Sequence, residues 1–175
     1  MLTVGRFSYN RGYGKGYDIL LKAISLCPED YYLYIVGDEP TQEFIELRKK
    51  MGLINKVKFI GFKDKEELKE YYMAADLFCL QTRGDVWGLV INEAMSMALP
   101  VITTNQCVAG LELVKRNRNG FIVDPEDYQE LSKDIKIILR NNEEKASMAL
   151  ESLKIISNYS ITEIVLSHIK AFTSV

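Results

Sequence analysis

Two carboxylates flank a glycine and an apolar segment in the sequence from Gly84 to Pro100. Asp85 and Glu93 lie eight positions apart, and the residues Leu89 to Met97 favour a helix that begins after Gly88. Glycine permits a tight turn at this point. The backbone N–H groups at a helix N-terminus bind anions, and neighbouring carboxylates accept hydrogen bonds from hydroxyl groups. The segment therefore predicts a site for a ligand with both phosphate and hydroxyl groups.

A glycine-rich loop with three positive charges follows the first predicted strand. It spans residues 5–18, GRFSYNRGYGKGYD, and contains Arg6, Arg11 and Lys15 among four glycines. Glycine lets a ligand approach the backbone closely, and the cations can neutralise phosphate oxygens. The spacing matches neither GxGxxG nor the phosphate loop GxxxxGK followed by Ser or Thr, so it indicates neither a dinucleotide nor ATP. We interpret the loop as a diphosphate clamp, with a solvated flexible loop as the alternative.

The two acids also have a structural interpretation, in which Asp85 caps the helix and Glu93 is a solvated helical residue. We favour a binding role for Glu93, because its apolar neighbours predict a largely buried helix in which a carboxylate requires hydroxyl partners. Together with the cationic loop, the acids suit a nucleotide sugar. In a third loop, Asp64 is predicted to cap the following helix, and Phe62 could stack on a base.

Short apolar runs alternate with amphipathic helical patterns, which indicates repeated βαβ units. The predicted fold class is α/β: a Rossmann-like doubly wound parallel sheet of about six strands with flanking helices. The predicted strands are Leu2 to Arg6, Tyr32 to Val36, Val57 to Ile60, Leu77 to Leu80, Val101 to Thr103 and Phe121 to Val123. The predicted helices are Tyr17 to Leu26, Thr41 to Met51, Lys65 to Ala75, Leu89 to Met97, Ala109 to Lys115 and Glu126 to Arg140.

The pattern divides the chain near residue 141. Residues 1–141 are expected to form the ligand-binding domain, whereas residues 142–175 contain no further strand and are expected to form two helices, Glu143 to Ile156 and Ile161 to Phe172. An apolar face on the second helix would pack against a partner surface, and its residues are Ile161, Ile164, Val165, His168 and Ile169.

Composition narrows the class of protein. The chain has 175 residues, enough for one domain, and its formal net charge of -2 argues against a nucleic-acid surface. No apolar run approaches the ~20 residues of a membrane-spanning helix. The three cysteines are odd in number and lack metal-binding spacing, which fits a reduced, cytoplasmic setting; they are Cys27, Cys79 and Cys107.

A set of motifs covering nearly the whole chain resembles the C-terminal donor-binding domain of the family 4 retaining glycosyltransferases (glycosyl transferases group 1), which have the two-domain GT-B architecture. The motifs are VGRF followed by KGYDILLKA, YIVGDEP, VKFIGF, AADLF, WGLVINEAMSMALPVITT and NGFIVDP. The resemblance implies transfer of a sugar from a nucleotide diphosphate donor, such as a UDP- or GDP-sugar, to an acceptor hydroxyl, with the anomeric configuration retained. It also implies a role in polysaccharide or glycolipid synthesis.

The resemblance implies roles for individual residues. Arg6 and Lys15 would contact the donor diphosphate and stabilise it as the leaving group, and Glu93 would accept hydrogen bonds from the ribose. Asp85 would hold the transferred sugar. The backbone N–H groups of Gly88, Leu89 and Val90 would add diphosphate contacts, and the segment around Phe62 and Lys63 would face the nucleobase.

Three positions depart from the family pattern or compete with it. Aspartate replaces the more usual glutamate at position 85, which shortens its reach by one methylene and bears on the choice of sugar. Glu39 stands where many relatives have glycine. The cationic loop is longer than is common, so Arg11 competes with Lys15; we favour Lys15, since KGYD leads directly into a helix.

The resemblance also implies partners. An N-terminal domain that provides the acceptor site is expected on a longer protein or on a second chain, and this domain alone is expected to have little activity. We expect no metal ion and no other cofactor. We also expect a cytoplasmic location, at the inner face of a membrane for the longer protein.

Two alternative functions are a non-catalytic nucleotide-sugar binding subunit and a flavodoxin-like or receiver-type domain. The receiver alternative needs acids after the first strand, where this sequence has cations.

Overall fold

A six-stranded parallel sheet forms the centre of the computed structural model, which describes residues 1–28 and 30–173, with Tyr9 and Ile164 described by their backbone alone. The strand order is β3-β2-β1-β4-β5-β6, and every adjacent pair is parallel. The strands are β1 Leu2–Val4, β2 Leu33–Val36, β3 Val57–Ile60, β4 Phe78–Leu80, β5 Val101–Thr104 and β6 Gly120–Val123. The predicted Rossmann-like doubly wound sheet is confirmed.

Eight α-helices connect and cover these strands within the described residues. They are α1 Tyr17–Ser25, α2 Gln42–Lys50, α3 Lys65–Ala74, α4 Leu89–Ser96, α5 Val108–Leu113, α6 Tyr128–Arg140, α7 Asn142–Ser157 and α8 Ile161–Thr173. Every predicted element is present, with ends shifted by at most about two residues, as is normal for helix and strand ends. The first strand ends at Val4 rather than Arg6, which leaves Gly5 and Arg6 in the loop.

Strands β1, β4, β5 and β6 are largely buried on both faces, as is typical of a parallel sheet, whereas Tyr34 of β2 and Lys58 of β3 are exposed. Successive side chains of one strand enter opposite cores: Cys79 packs with α1 and α6, whereas Phe78 and Leu80 pack with α4 and α5. All three cysteines are free and buried. Cys27 and Cys79 lie in the core between the sheet, α1 and α6, and Cys107 lies at the start of α5. Within the described residues, no helix combines the length and the apolar composition needed to cross a membrane.

The two C-terminal helices differ in their packing. Helix α7 packs against α4 and α6, where Met148 is buried and the Ser152 hydroxyl donates a hydrogen bond to the Leu99 carbonyl at 2.8 Å. Helix α8 instead exposes Ile161 and Phe172 by 83% and 80%. The apolar face predicted for this helix includes Ile164, whose side chain lies outside the described residues. Packing of residues 142–175 against a further domain therefore remains a prediction, and both helices have exposed apolar side chains, such as Leu150 of α7 and Phe172 of α8.

Candidate functional site

A cleft of about 850 Å³ opens at the carboxyl ends of β1 and β4, the two central strands. The chain proceeds outward in opposite directions from these strands, and ligands of open α/β sheets bind at such a switch point. Residues 4–6, Lys15 and residues 84–90 line the cleft. It brings together six of the residues predicted from the sequence: Arg6, Lys15, Asp85, Gly88, Leu89 and Val90.

An ion pair spans the cleft between the two predicted loops. The Lys15 Nζ lies 2.7 Å from the Asp85 Oδ2, and both side chains are largely shielded, with 17% and 19% exposed. The other oxygen of Asp85 accepts a hydrogen bond from the backbone N–H of Trp87 at 3.3 Å. The carboxylate therefore does not cap α4, and the interpretation of Asp85 as a helix cap is wrong.

Helix α4 begins with its positive end directed at this cleft. Its N-cap is Gly88, with φ of 97°, and no side chain caps its backbone N–H groups. A Cβ at this glycine would lie 2.7 Å from the Cys107 Sγ, so both the backbone conformation and the close contact require glycine. The Cys107 thiol also donates to the Trp87 carbonyl at 3.2 Å, and the Ala109 N–H donates to the same oxygen at 2.8 Å. These contacts fix the turn that presents the helix N-terminus.

The two arginines of the cationic loop lie in different places. Arg6 is exposed and lines the cleft, whereas Arg11 lies 4.0 Å from Glu43 at the outer side of the loop. Asp38 orders the segment after Arg6 by accepting hydrogen bonds from the backbone N–H groups of Phe7 and Ser8. Although burial opposes ionisation, the hydrogen bonds from Ser8 and Phe7 hold the pKa of Asp38 below its usual value.

Glu93 lies outside the residues that line the cleft, and it is exposed. The prediction that it is buried is wrong, because α4 directs Ile91, Ala94 and Met95 into the core and Leu89, 67% exposed, toward the cleft. Its carboxylate does have a hydroxyl partner, since Tyr72 of α3 donates a hydrogen bond to it at 2.8 Å. Burial and the nearby carboxylate raise the pKa of Tyr72.

The loop after β3 carries the two residues that were predicted to face a nucleobase. Phe62 is 78% exposed, and Lys63 forms an ion pair with Glu67 at 2.8 Å. Asp64 caps α3 as predicted, in a capping box with Glu67. Neither Phe62 nor Lys63 lines the cleft, and their contact with a nucleobase remains a prediction.

Arg83 is a residue of this region that sequence reasoning missed. It follows β4, two positions before Asp85, and its guanidinium pairs with Asp18 of α1 through two hydrogen bonds, at 2.8 and 2.9 Å. These residues are 65 positions apart, so no local pattern in the sequence relates them. Hydrogen bonds with Asp18 and then Glu126 raise the pKa of Arg83.

The fold is that of a Rossmann-like domain, and the crevice at its switch point is lined by Arg6, Lys15 and the N-terminus of α4. A family model described as glycosyl transferases group 1 matches residues 1–154, and the chain therefore belongs to this family. An uncharacterized glycosyltransferase of Haemophilus influenzae is 30% identical over 171 residues, which cover 94% of this chain and 46% of that protein. The lipopolysaccharide glucosyltransferase WaaG of Escherichia coli is 28% identical over 126 residues, which cover 70% of this chain and 33% of the enzyme.

Among solved structures, HepE of Anabaena in complex with UDP has a TM-score of 0.86 and 29% identity, and the match covers 99% of this chain and 49% of HepE. HepE has also been solved in complex with UDP-glucose. The chain thus spans about half the length or less of these relatives.

Proposed function

We propose that this chain is the donor-binding domain of a retaining glycosyltransferase, and that its donor is a nucleoside diphosphate sugar. The observation that carries the proposal is the convergence of Arg6, Lys15 and the uncapped N-terminus of α4 on one cleft at the switch point of the sheet. Two cations and a helix N-terminus complement a diphosphate, which carries negative charge on several oxygens.

The same groups would assist the reaction by binding the leaving group. As the acceptor hydroxyl oxygen forms the new bond to the sugar and gives up its proton to the departing diphosphate, the bond between the sugar and the diphosphate breaks, and its electron pair stays with the diphosphate oxygen. Fixed positive groups aimed at that oxygen stabilise the charge that develops there. We assign this role to Arg6, Lys15 and the N-terminus of α4, and we propose that the charge is neutralised by these protein groups with no metal ion.

The two acids are better suited to binding than to proton transfer. The Asp85 carboxylate is already engaged by the Lys15 ammonium at 2.7 Å, so it is placed to position that cation. Glu93 lies about one helical turn beyond Leu89, which lines the cleft. We propose that Glu93 binds the ribose. Binding of the base near Phe62 and Lys63 would extend the ligand from the switch point toward the β3 edge of the sheet.

Relatives support the finer features of the proposal. A protein of 29% identity was solved with UDP and with UDP-glucose, which favours a UDP-sugar over a GDP-sugar. The lipopolysaccharide enzyme among the relatives favours a role in polysaccharide or glycolipid synthesis. We propose that the acceptor binds a further N-terminal domain, that the isolated domain has little transfer activity, and that the complete enzyme acts in the cytoplasm at the inner face of a membrane.

Titration calorimetry with UDP, GDP and UDP-glucose tests the donor assignment directly. We expect the 175-residue chain to bind a nucleoside diphosphate, with UDP tighter than GDP, and a Lys15→Met variant to bind it more weakly. The matched control is Lys133→Met, which removes an equal charge from an exposed lysine of α6 outside the cleft and outside the proposed base contacts. A folded chain that binds none of these ligands at millimolar concentration would overturn the proposal.

A further inference from the structure

We propose that Arg83 is a positioning residue for nucleotide binding, because it fixes the loop that presents Lys15 to the cleft. The inference rests on the proposed function and adds to it a residue that does not itself line the cleft. It concerns residues 13–16, here called the lysine loop, and the three residues that follow β4, Gln81, Thr82 and Arg83.

Arg83 uses its whole guanidinium to join the lysine loop to α1 and to the turn that precedes α6. The Nη1 donates to the Tyr13 carbonyl at 2.6 Å and to Asp18 at 2.8 Å, and the Nη2 donates to Asp18 at 2.9 Å and to Glu126 at 3.0 Å. The Nε donates to Glu126 as well. All five N–H donors of the side chain are thus occupied, in a planar arrangement that lysine cannot reproduce.

The backbone of the same segment holds the next residue of the loop. The Gly14 carbonyl accepts two hydrogen bonds, from the Arg83 N–H and from the Thr82 hydroxyl, each at 3.0 Å. Thr82 is fully buried, and its own carbonyl accepts a hydrogen bond from Thr104 of β5 at 2.7 Å. The lysine loop therefore rests on a support that is itself fixed to the central sheet.

The other side of Lys15 is held by a close backbone contact. Gly16 has φ of 63°, and a Cβ at this position would lie 1.7 Å from the Gln81 carbonyl oxygen. Tyr13 and Gly14 before the lysine, and Gly16 after it, are thus all fixed by residues 81–83. Because its neighbours cannot move independently, Lys15 reaches Asp85 from a fixed backbone position.

The segment after β4 contains both the residue that holds the lysine loop and the residue that pairs with Lys15. Arg83 donates a hydrogen bond to the lysine loop without lining the cleft, and Asp85, two residues later, pairs with the Lys15 ammonium inside the cleft. Loss of the guanidinium would release the Tyr13 carbonyl and leave Asp18, whose side chain is 12% exposed, without its cation. We therefore expect a loss of nucleotide affinity that operates through Lys15.

A double-mutant cycle between Arg83 and Lys15 tests this coupling. The ligand is whichever of UDP and GDP binds the wild-type chain more tightly, and both its Kd and the Tm of each variant are measured. We expect Arg83→Ala to raise the Kd about tenfold, in keeping with the loss of a group that holds a binding residue in place. In the Lys15→Met background, Arg83→Ala should change the Kd less than about twofold, although it still lowers the Tm.

Two further variants protect the test from a simple loss of folding. Arg83→Lys keeps the charge but removes the planar guanidinium. We expect its Kd to lie between that of the wild type and that of Arg83→Ala. Arg118→Ala, which breaks an exposed ion pair with Glu151 away from the cleft, is the matched control and should leave the Kd unchanged.

The outcomes separate this inference from the proposed function. A folded wild-type chain that binds neither nucleotide overturns both. If the wild type binds and Lys15→Met weakens binding, but Arg83→Ala and Arg83→Lys leave the Kd unchanged, only the inference about Arg83 fails. It also fails if Arg83→Ala raises the Kd by the same factor with and without Lys15, because its effect is then general rather than transmitted through the lysine.

Discussion

The two loops assigned to opposite ends of the ligand are built in different ways. The lysine loop is fixed by the segment that follows β4. Thr82 and Arg83 donate hydrogen bonds to its carbonyl groups, and Gly16 lies directly against the Gln81 carbonyl. The loop after β3 has one capping box and an exposed aromatic ring. The comparison indicates that the proposed diphosphate end of the site is held in place by contacts within the protein, whereas the aromatic ring at the proposed base end has few such contacts.

The largest expected effect is at Gly16, where the lysine loop meets the sheet. Gly16→Ala should cost about 3 kcal/mol or more in the free energy of unfolding, because the new Cβ overlaps the Gln81 carbonyl and the backbone has φ of 63°. Gly52→Ala is the matched control: it has φ of 70° with no atom within 4 Å of the added Cβ, and should cost about 1 kcal/mol. Urea unfolding of both variants measures the difference. Equal losses would mean that the loop is not held against the sheet.

A second prediction compares the loss of affinity at two lysines, one inside the cleft and one outside it. Lys15→Met should weaken nucleoside diphosphate binding by roughly 10- to 100-fold, as expected for a charge-assisted hydrogen bond in a shielded site. Lys133→Met, whose ammonium pairs with Glu130 on the surface away from the cleft, should change the affinity by about twofold or less. Calorimetry on both variants gives the ratio, and similar losses would contradict the proposed placement of the diphosphate.

At the base end, Phe62→Ala should weaken binding of UDP by about fivefold, the effect expected from losing one stacking contact. The ring is 78% exposed and packs into neither core, so the Tm should stay within about 1 °C of the wild-type value. Inorganic pyrophosphate, which has no base, should bind the variant and the wild type equally. A variant that loses affinity for pyrophosphate as well would move Phe62 away from the base.

The smallest effect concerns Asp38, which orders the segment after Arg6. Its pKa is lowered in the folded chain, so its contribution to stability is present above the unfolded value near 3.8 and is lost as the pH falls through the folded value. Asp38→Asn should therefore lose less unfolding free energy than the wild type when the pH is lowered from 5 to 3. Thermal denaturation across this range measures it. Parallel curves for the two proteins would show that Asp38 has no such role.

Much of the fold could be predicted from the sequence because its signals are local. Strands β1 to β6 are short apolar runs, and Asp64 lies at the start of a helix with its partner three positions on. Lys15 and Asp85 were predicted to lie in the same site because parallel strands bring their following loops to one edge. Their direct ion pair was not predicted, since it depends on the length and direction of two side chains.

The failures have physical causes of their own. Glu93 was predicted to lie on a largely buried helix because apolar residues surround it in the sequence, but Glu93 is exposed, and its neighbour Leu89 lines the cleft rather than the interior. Arg83 gave no signal, because its partners lie on α1, in the lysine loop and before α6, and only the folded sheet assembles them. A charge with several distant partners cannot be recognised from spacing along one chain.

The burial of all three cysteines allows a single introduced thiol to be labelled selectively. Burial raises the pKa of the Cys27 and Cys107 thiols, and Cys79 is enclosed by the central sheet, so none of the three offers an accessible thiolate. A cysteine introduced at position 62 would then be the only thiol open to a maleimide dye. Such a label would report occupancy of the base end by fluorescence, without first removing any native cysteine.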